Sequence, residues 1–341
     1  MPSTIKDIAR KLNISVSTVS YALNDGPRSV PAEVKRRVLE AAKELDYRPN
    51  RLARSLVTRQ TNTVGVVPGV LNPDLVLSPF VQAVLNGILN ALEDEHLDVL
   101  IYTGMNVRTT NVQVDRLVDG RIDGVIFLPP SPGDEVFRLL EQRRFPLVTI
   151  AAQEVEGRVN FSADNAHGVR LAIDHLVHLG HKKIGMVEGL EMHKDAVERR
   201  HAFDEALASH GMNSRPEWMV SGAFTEHEGT RAAQAILKRP NRPTALFCAN
   251  DESAFGALLA ARMLGLEVPR DLSVVGYDDI TIAQQSIPPL TTVRQSVQEM
   301  GRAAVEGLLQ MVAGKTVSSR TFEPKLVKRS STSCPPEDIQ S

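Results

Sequence analysis

Apolar positions in the first 60 residues fall at helical spacing in three short blocks. Ile5, Ile8, Ala9 and Leu12 share one face, and Thr4-Ile5-Lys6-Asp7 ahead of them reads as a capping box. Asn13 suits the left-handed turn that ends a helix, and Ser15 is placed as the next N-cap. Val19, Ala22 and Leu23 form the inward face of a second helix. Its outward face, Val16, Ser17, Thr18, Ser20 and Tyr21, is uncharged and mostly hydroxylated. After Gly26-Pro27, Pro31 opens a third helix with Val34, Val38, Ala41, Ala42 and Leu45 inside. Two short helices joined by a tight turn predict a helix-turn-helix module.

From residue 61 the pattern changes. Continuous apolar runs at 63–67, 99–102, 124–128 and 147–150 read as buried strands, with a helix over 80–95 and a polar helix after 102. A second set follows: a helix over 168–179, then strands at 184–187, 219–220, 245–248, 272–275 and 325–328. Alternating strands and helices predict parallel sheets covered on both faces, and two sets predict two lobes. The fold class expected is therefore an α/β body of two parallel-sheet lobes with an N-terminal all-α helix-turn-helix headpiece. Ligands of such sheets bind where the strands' carboxyl ends meet a cleft.

Composition supports this division. The chain has 341 residues, 42% apolar and 23% charged, long enough to split its core into two or three domains. No run approaches the roughly 18 apolar residues of a membrane span. The first residues lack the basic-then-apolar layout of a signal peptide. Cys248 and Cys334 are too few for a disulfide framework or a four-cysteine zinc site. A cytoplasmic chain without metal, cofactor or membrane association is expected.

Charge is uneven. The first 60 residues hold twelve basic and six acidic side chains, a net +6, whereas the remainder carries −8. A basic N-terminal block on an acidic body predicts a nucleic-acid module joined to something else. Hydroxyls near the start of the second helix suit phosphates and base edges. Residues 47–57 make a short basic segment with Asn50 as N-cap, Arg51 and Arg54 as cations, and Leu56 as an isolated apolar side chain. Two turns of helix are marginal alone, so this hinge is expected to order on DNA, with Leu56 as a minor-groove wedge.

Signals for enzyme chemistry are weak. No Gly-x-Gly-x-x-Gly or Walker loop opens a helix. His178 and His181 read as helix-end groups, not a metal pair, and Cys248 as core. No nucleophile–base pair stands out.

The order of motifs is specific. Thr4-Ile5-Lys6-Asp7-Ile8-Ala9, Ser17-Thr18-Val19-Ser20, Val38-Leu39-Glu40-Ala41-Ala42, Tyr47-Arg48-Pro49-Asn50 and Ala53-Arg54-Ser55-Leu56 resemble the headpiece of the lactose-repressor/galactose-repressor (LacI/GalR) family. Asp164-Asn165, Leu179-Gly180-His181, Ala249-Asn250-Asp251, Val275-Gly276-Tyr277-Asp278-Asp279 and Pro289-Leu290-Thr291-Thr292-Val293 resemble its effector domain, which is periplasmic-binding-protein-like. The resemblance implies a homodimeric repressor that reads palindromic operator DNA and answers to a small-molecule effector. Val16, Ser17 and Tyr21 would face base edges, and Thr18 and Ser20 phosphates. Phe80, His193, Asp195, Arg199, Phe224, Asn250 and Asp278 would line the effector cleft.

The implied domains are 1–47 (headpiece), 48–60 (hinge), 61–160 with 293–322 (first lobe), 161–292 with 323–333 (second lobe) and a tail at 334–341. Two positions depart from the family pattern: Ala151-Ala152 where many members carry an acidic residue, and Val81 in place of a second aromatic. A sugar or sugar derivative is the expected effector, with a nucleobase or sugar phosphate as alternatives. An extracytoplasmic solute-binding protein is opposed by the +6 headpiece. An α/β enzyme is opposed by the lack of catalytic constellations.

Overall fold

The Thr4 backbone N–H and hydroxyl both donate to the Asp7 carboxylate, at 2.9 and 2.7 Å, so the capping box closes as its residues dictate. In the computed structural model, which describes residues 3–24, 30–48, 60–68, 78–102, 109–128 and 134–336, the chain divides into two units, Met1–Thr61 and Asn62–Ser341.

The first unit holds α1 (Ile5–Leu12), α2 (Val16–Asn24) and α3 (Ala32–Glu44). Asn13 ends α1 at φ 52°, ψ 46°. Ser15 Oγ accepts from the Thr18 N–H at 3.0 Å and so caps α2. Ile8, Ala9, Val19, Ala22, Val38 and Ala41 form the shared core. Each fully buried Val or Ile there contributes about 1.5–3 kcal/mol, enough to hold a small three-helix module.

The second unit is two six-stranded sheets. The first contains β1 (Thr63–Pro68), β2 (Asp98–Ile101), β3 (Gly124–Leu128), β4 (Leu147–Ile150) and β5 (Asn160–Ala163). The second contains β6 (Ile184–Glu188), β7 (Met219–Ser221), β8 (Ala245–Cys248), β9 (Ser273–Asp278) and β10 (Thr291–Arg294). Two last strands separate: β11 (Arg320–Phe322) joins the first sheet and β12 (Lys325–Val327) the second. The orders are β11-β5-β4-β3-β1-β2 and β12-β10-β9-β8-β6-β7, all parallel except β12 on β10.

Nine helices cover these sheets among the described residues: α4 (Pro79–Asp94), α5 (Thr110–Leu117), α6 (Asp134–Gln142), α7 (Asn165–His178), α8 (Lys194–Ser209), α9 (Glu226–Leu237), α10 (Asp251–Met263), α11 (Thr281–Gln285) and α12 (Val297–Val312). Each sheet has a buried apolar layer on both faces. That is why its central strands read as unbroken apolar runs.

Two expected lobe boundaries move. Asn160–Ala163 pairs with β4 in the first sheet, so the first crossing lies at Asp164 and not at 160. Thr291–Arg294 pairs with β9, so the second crossing follows Arg294 and not 292. Asn160 and Ser162 are buried polar residues, and their strand carries no apolar run to mark it. The third crossing lies at residues 323–324, between β11 and β12.

Candidate functional site

On α2 the exposed face holds Val16 and Ser17 on the first turn, with Ser20 and Tyr21 one turn on, both half-buried. The Thr18 hydroxyl shares a 2.8 Å hydrogen bond with Ser15 Oγ, so Thr18 also serves the cap of its helix. Opposite faces of the same helix thus serve core and surface. Asn50, Arg51, Arg54 and Leu56 lie outside the described residues.

The predicted effector residues gather at the carboxyl ends of the second sheet. β6 leads to Gly189 and then to His193 at the N-cap of α8; β7 leads to Phe224; β8 leads to Asn250; and β9 ends at Asp278. Arg199, one turn beyond Asp195 on α8, is 3% exposed. Its Nε donates to Asn165 Oδ1 at 2.9 Å, and its Nη1 to the Ala249 carbonyl at 2.5 Å. Its guanidinium lies 3.8 Å from the Tyr277 ring centroid, within cation–π reach. The carboxylates of Asp278 and Asp195 stand at 3.8 and 3.9 Å, near enough to neutralise it but beyond hydrogen-bonding distance. Asn165, the residue after the first crossing, donates to Asp195 at 2.9 Å and to Glu198 at 2.7 Å. The motif Asp164-Asn165 was visible in the sequence, but its part in this cluster was not.

Asp278 is buried, accepts from Gln295 Nε2 at 2.5 Å, and has its backbone at φ 118°. Burial pushes its carboxyl up to about 7, against the opposing pull of Arg199 and Gln295. The neighbouring Asp279 serves the fold: it accepts from Arg294 Nε at 2.6 Å and Arg329 Nη2 at 2.5 Å. Asp251, fully buried, accepts from the Ile280 N–H and the Thr292 hydroxyl, which ties the end of β9 to the start of α10. Gly276 makes this approach possible, since a Cβ there would lie 2.3 Å from Asp251 Oδ1.

Phe224 sits in left-handed backbone, φ 61°, and stands edge-on to His193 with centroids 5.9 Å apart. Its ring lies over Gly189, where a Cβ would come within 2.2 Å of Cζ. His193 Nε2 is buried with no hydrogen-bond partner, and burial lowers the imidazole's pKa against the opposing pull of Asp195. Asn250 works locally. Its Oδ1 caps α10 through Ser253 N–H at 3.0 Å, and its Nδ2 donates to the Phe224 carbonyl at 2.9 Å. Glu252, which sequence reasoning passed over, adds a half-buried carboxyl raised to about 7 by burial, Asp278 and Glu226.

Between the lobes lies a cavity of about 690 Å³. Asp278 and Gln295 line it from one side, and Pro79, Gln82, Ala83 and Asn86 of α4 from the other. Phe80 does not. It packs against the first lobe's core, and Val81 is fully buried there. Helical phase explains the correction: 79, 82, 83 and 86 share one face of α4, and 80 and 81 point away from it. Asp278 is the predicted residue that joins this cavity to the buried cluster behind it.

The histidine pair divides. His178 Nδ1 bonds the Asp174 carbonyl on the last turn of α7, as a helix-end group. His181 is instead a buried pin at the other end of the second sheet, bonding Thr244 Oγ1, Ser273 Oγ and the Ser333 carbonyl at 2.8–3.0 Å. Burial drops its pKa to about 4. Cys248 is fully buried, and burial raises its thiol far above the nucleophilic range. Among the described residues no helix is long and apolar enough to cross a membrane.

Comparison with known proteins agrees with both units. The family model of bacterial regulatory proteins, lacI family, matches residues 4–50, and that of the periplasmic binding protein-like domain matches residues 173–332. The ribose operon repressor of Haemophilus influenzae is 34% identical over 335 residues, covering 96% of this chain and 98% of that protein. The HTH-type transcriptional repressor PurR of Aliivibrio salmonicida is 32% identical over 334 residues, covering 96% and 98%. A crystal structure of the lac repressor dimer bound to operator and the anti-inducer ONPF superimposes with TM-score 0.86 at 27% identity, covering 98% of this chain and all of that one. A capped helix-turn-helix and two parallel-sheet lobes, matched at full length by transcriptional repressors, place this chain in the lacI family as a ligand-regulated, DNA-binding repressor.

Proposed function

We propose that this repressor binds a palindromic operator as a cytoplasmic homodimer and that a neutral, hydroxyl-rich small molecule, a sugar or sugar derivative, sets its operator affinity. The observation that carries the effector assignment is the buried cluster of Arg199, Asp195, Asp278 and Asn165 at the carboxyl ends of the second sheet. Its forked donors and acceptors suit vicinal hydroxyls. The surrounding carboxylates outnumber the cations, since Lys194 is engaged with Glu198 at 3.1 Å. An anionic ligand would meet net repulsion there, which counts against a sugar phosphate. The edge-on Phe224–His193 pair and the orphaned His193 Nε2 favour a second reading, a nucleobase stacked on Phe224. The relative named for the ribose operon accords with the sugar reading.

On the DNA side, Val16, Ser17 and Tyr21 read base edges, while Thr18 and Ser20 hold phosphates. Asn50, Arg51 and Arg54 serve the hinge, and Leu56 is its wedge. Selection from random DNA followed by a salt-dependent gel shift tests this half. Tyr21→Ala should change the selected consensus, and Ser20→Ala should weaken binding across all sequences. An unchanged consensus for Tyr21→Ala overturns the base-reading assignment. A thermal-shift panel of pentoses, hexoses, sugar phosphates and nucleobases tests the other half. A true effector at a hundredfold excess over its Kd stabilises the protein by about 2.7 kcal/mol. A response confined to sugar phosphates would overturn the neutral-ligand reading.

A further inference from the structure

A second groove, of about 530 Å³, lies along α7 and β12 of the second lobe, and none of the Arg199 cluster lines it. One wall is the face of α7 that carries His167, His175 and His178. The other wall is the third crossing and edge strand β12, with Glu323, Lys325 and Lys328. Leu171, Pro324 and Leu326 make its apolar floor. Positions 167, 171, 175 and 178 recur at helical spacing, so the three imidazoles share one face of α7. The body of the protein is net negative, yet this groove sets three imidazoles and two ammonium groups against one carboxylate.

The groove's cations are little neutralised. Lys325 and Lys328 have no ion-pair partner among the described residues. His178 donates Nδ1–H to the Asp174 carbonyl at 2.5 Å, which engages that nitrogen within α7. His175 Nε2 is bonded to Thr332 Oγ1 at 3.0 Å. His167 Nδ1 lies 3.4 Å from Arg170 Nη2, a further cation on the same helix. Asp174, the one acid within α7, faces His210 at 2.6 Å, and Asp164 at the N-cap accepts from the His167 N–H at 2.8 Å. His175 is held below the usual imidazole range by burial and then by the like charges of Lys328 and His178.

We infer that this groove is a binding site for a small polyanion, phosphate- or polycarboxylate-bearing, distinct from the effector cluster. Five nitrogen-bearing side chains converge on a volume that accepts a small metabolite, and an oxyanion relieves their mutual repulsion. Binding takes up protons onto the imidazoles and therefore strengthens as pH falls. The site adjoins the third crossing: Pro324 Cγ lies 3.0 Å from where a Cβ on Gly168 of α7 would stand. An anion seated there bridges α7 and the segment that links the two sheets.

The test uses the full chain with histidine ring carbons labelled and followed by NMR. Pyrophosphate and citrate are titrated separately to millimolar concentration, with calorimetry at pH 6 and pH 8. The expected result is a rise of about one unit in the His175 pKa with at least one anion, and about tenfold weaker binding at pH 8. Pyrophosphate acting alone assigns the site to phosphates, and citrate acting alone to polycarboxylates. The double variant Lys325→Gln/Lys328→Gln changes two exposed side chains and should lose the response while keeping its thermal midpoint. Imidazoles that ignore both anions, or a response that persists in the double variant, would overturn the site.

Discussion

The two sheets of the effector body share one strand plan but differ in chemistry at their carboxyl edges. Among the described residues of the first sheet, β4 leads into Ala151-Ala152, and the polar group beside them bonds inward. Asn160 accepts from the Thr149 hydroxyl at 3.0 Å and the Ala152 N–H at 3.1 Å, and donates to the Ala152 carbonyl at 3.1 Å. At the second sheet's edge a buried guanidinium faces two carboxylates beyond hydrogen-bonding distance, and an imidazole nitrogen is orphaned. Polar groups satisfied inward build a wall, whereas groups left with spare capacity build a recognition surface. Polar groups with spare capacity are therefore concentrated in the second lobe, and the first supplies α4 as the facing wall of the cavity.

Arg199→Ala gives the largest expected effect. It leaves Asp278 buried and Asp195 half-buried without their cation, and breaking a buried pair costs about 3–5 kcal/mol. Urea unfolding followed separately in each lobe should show that loss in the second lobe. An undiminished second-lobe midpoint would remove the energetic basis of the comparison.

The opposite end of the second sheet sharpens it through pH. His181 has a folded pKa of about 4 against an unfolded value of 6.5. A depressed imidazole pKa contributes stability that is complete above pH 6.5 and is lost as pH falls toward 4. The loss amounts to ~3 kcal/mol at most. His181→Gln should flatten this acid-side slope in thermal midpoints taken between pH 7 and 4. A slope unchanged in the variant would assign it to other groups.

In the first lobe, Asn160→Ala should cost ~2 kcal/mol by stranding buried partners, yet leave effector affinity intact. Calorimetry of the variant decides this, and an effector affinity lost with Asn160 would contradict the division of labour.

Glu252→Gln gives the smallest effect. Its carboxyl has a folded pKa of about 7 against 4.5 unfolded. A raised carboxyl pKa contributes stability that is complete below 4.5 and is lost as pH rises through 7. The variant should therefore gain on the wild type between pH 5 and 8, by ~1 kcal/mol after screening at this half-buried position. A gap that does not widen with pH would show that the carboxyl is hydrated.

How far the sequence discloses this arrangement depends on the range of the interaction. Gly124–Leu128 was legible to the residue because a parallel strand buried on both faces is an apolar run. Asn160–Ala163 was not, because the buried polar Asn160 and Ser162 break its apolar run, and Asn160 finds its partners only in the folded sheet. The caps at Thr4 and Ser15 are local and were readable. Arg199, Asp195 and Asp278 were placed by their motifs, and the structure brings them together. Phe80 was expected at the cleft, whereas the α4 residues that line the cavity are 79, 82, 83 and 86. Asn165 and Gln295 gave no local signal for their roles, since each meets its partners across 17 to 34 residues of chain.

The central claim is that a ligand held at the second sheet's carboxyl edge governs operator binding. It is tested most directly by titrating effector into a complex of repressor and selected operator, with wild type and Asp278→Asn compared by fluorescence anisotropy. The account predicts equal operator affinity without effector. It also predicts that the variant needs roughly ten- to a hundredfold more effector for the same response, the loss of one charge-assisted hydrogen bond. A variant that responds at the wild-type effector concentration would contradict it.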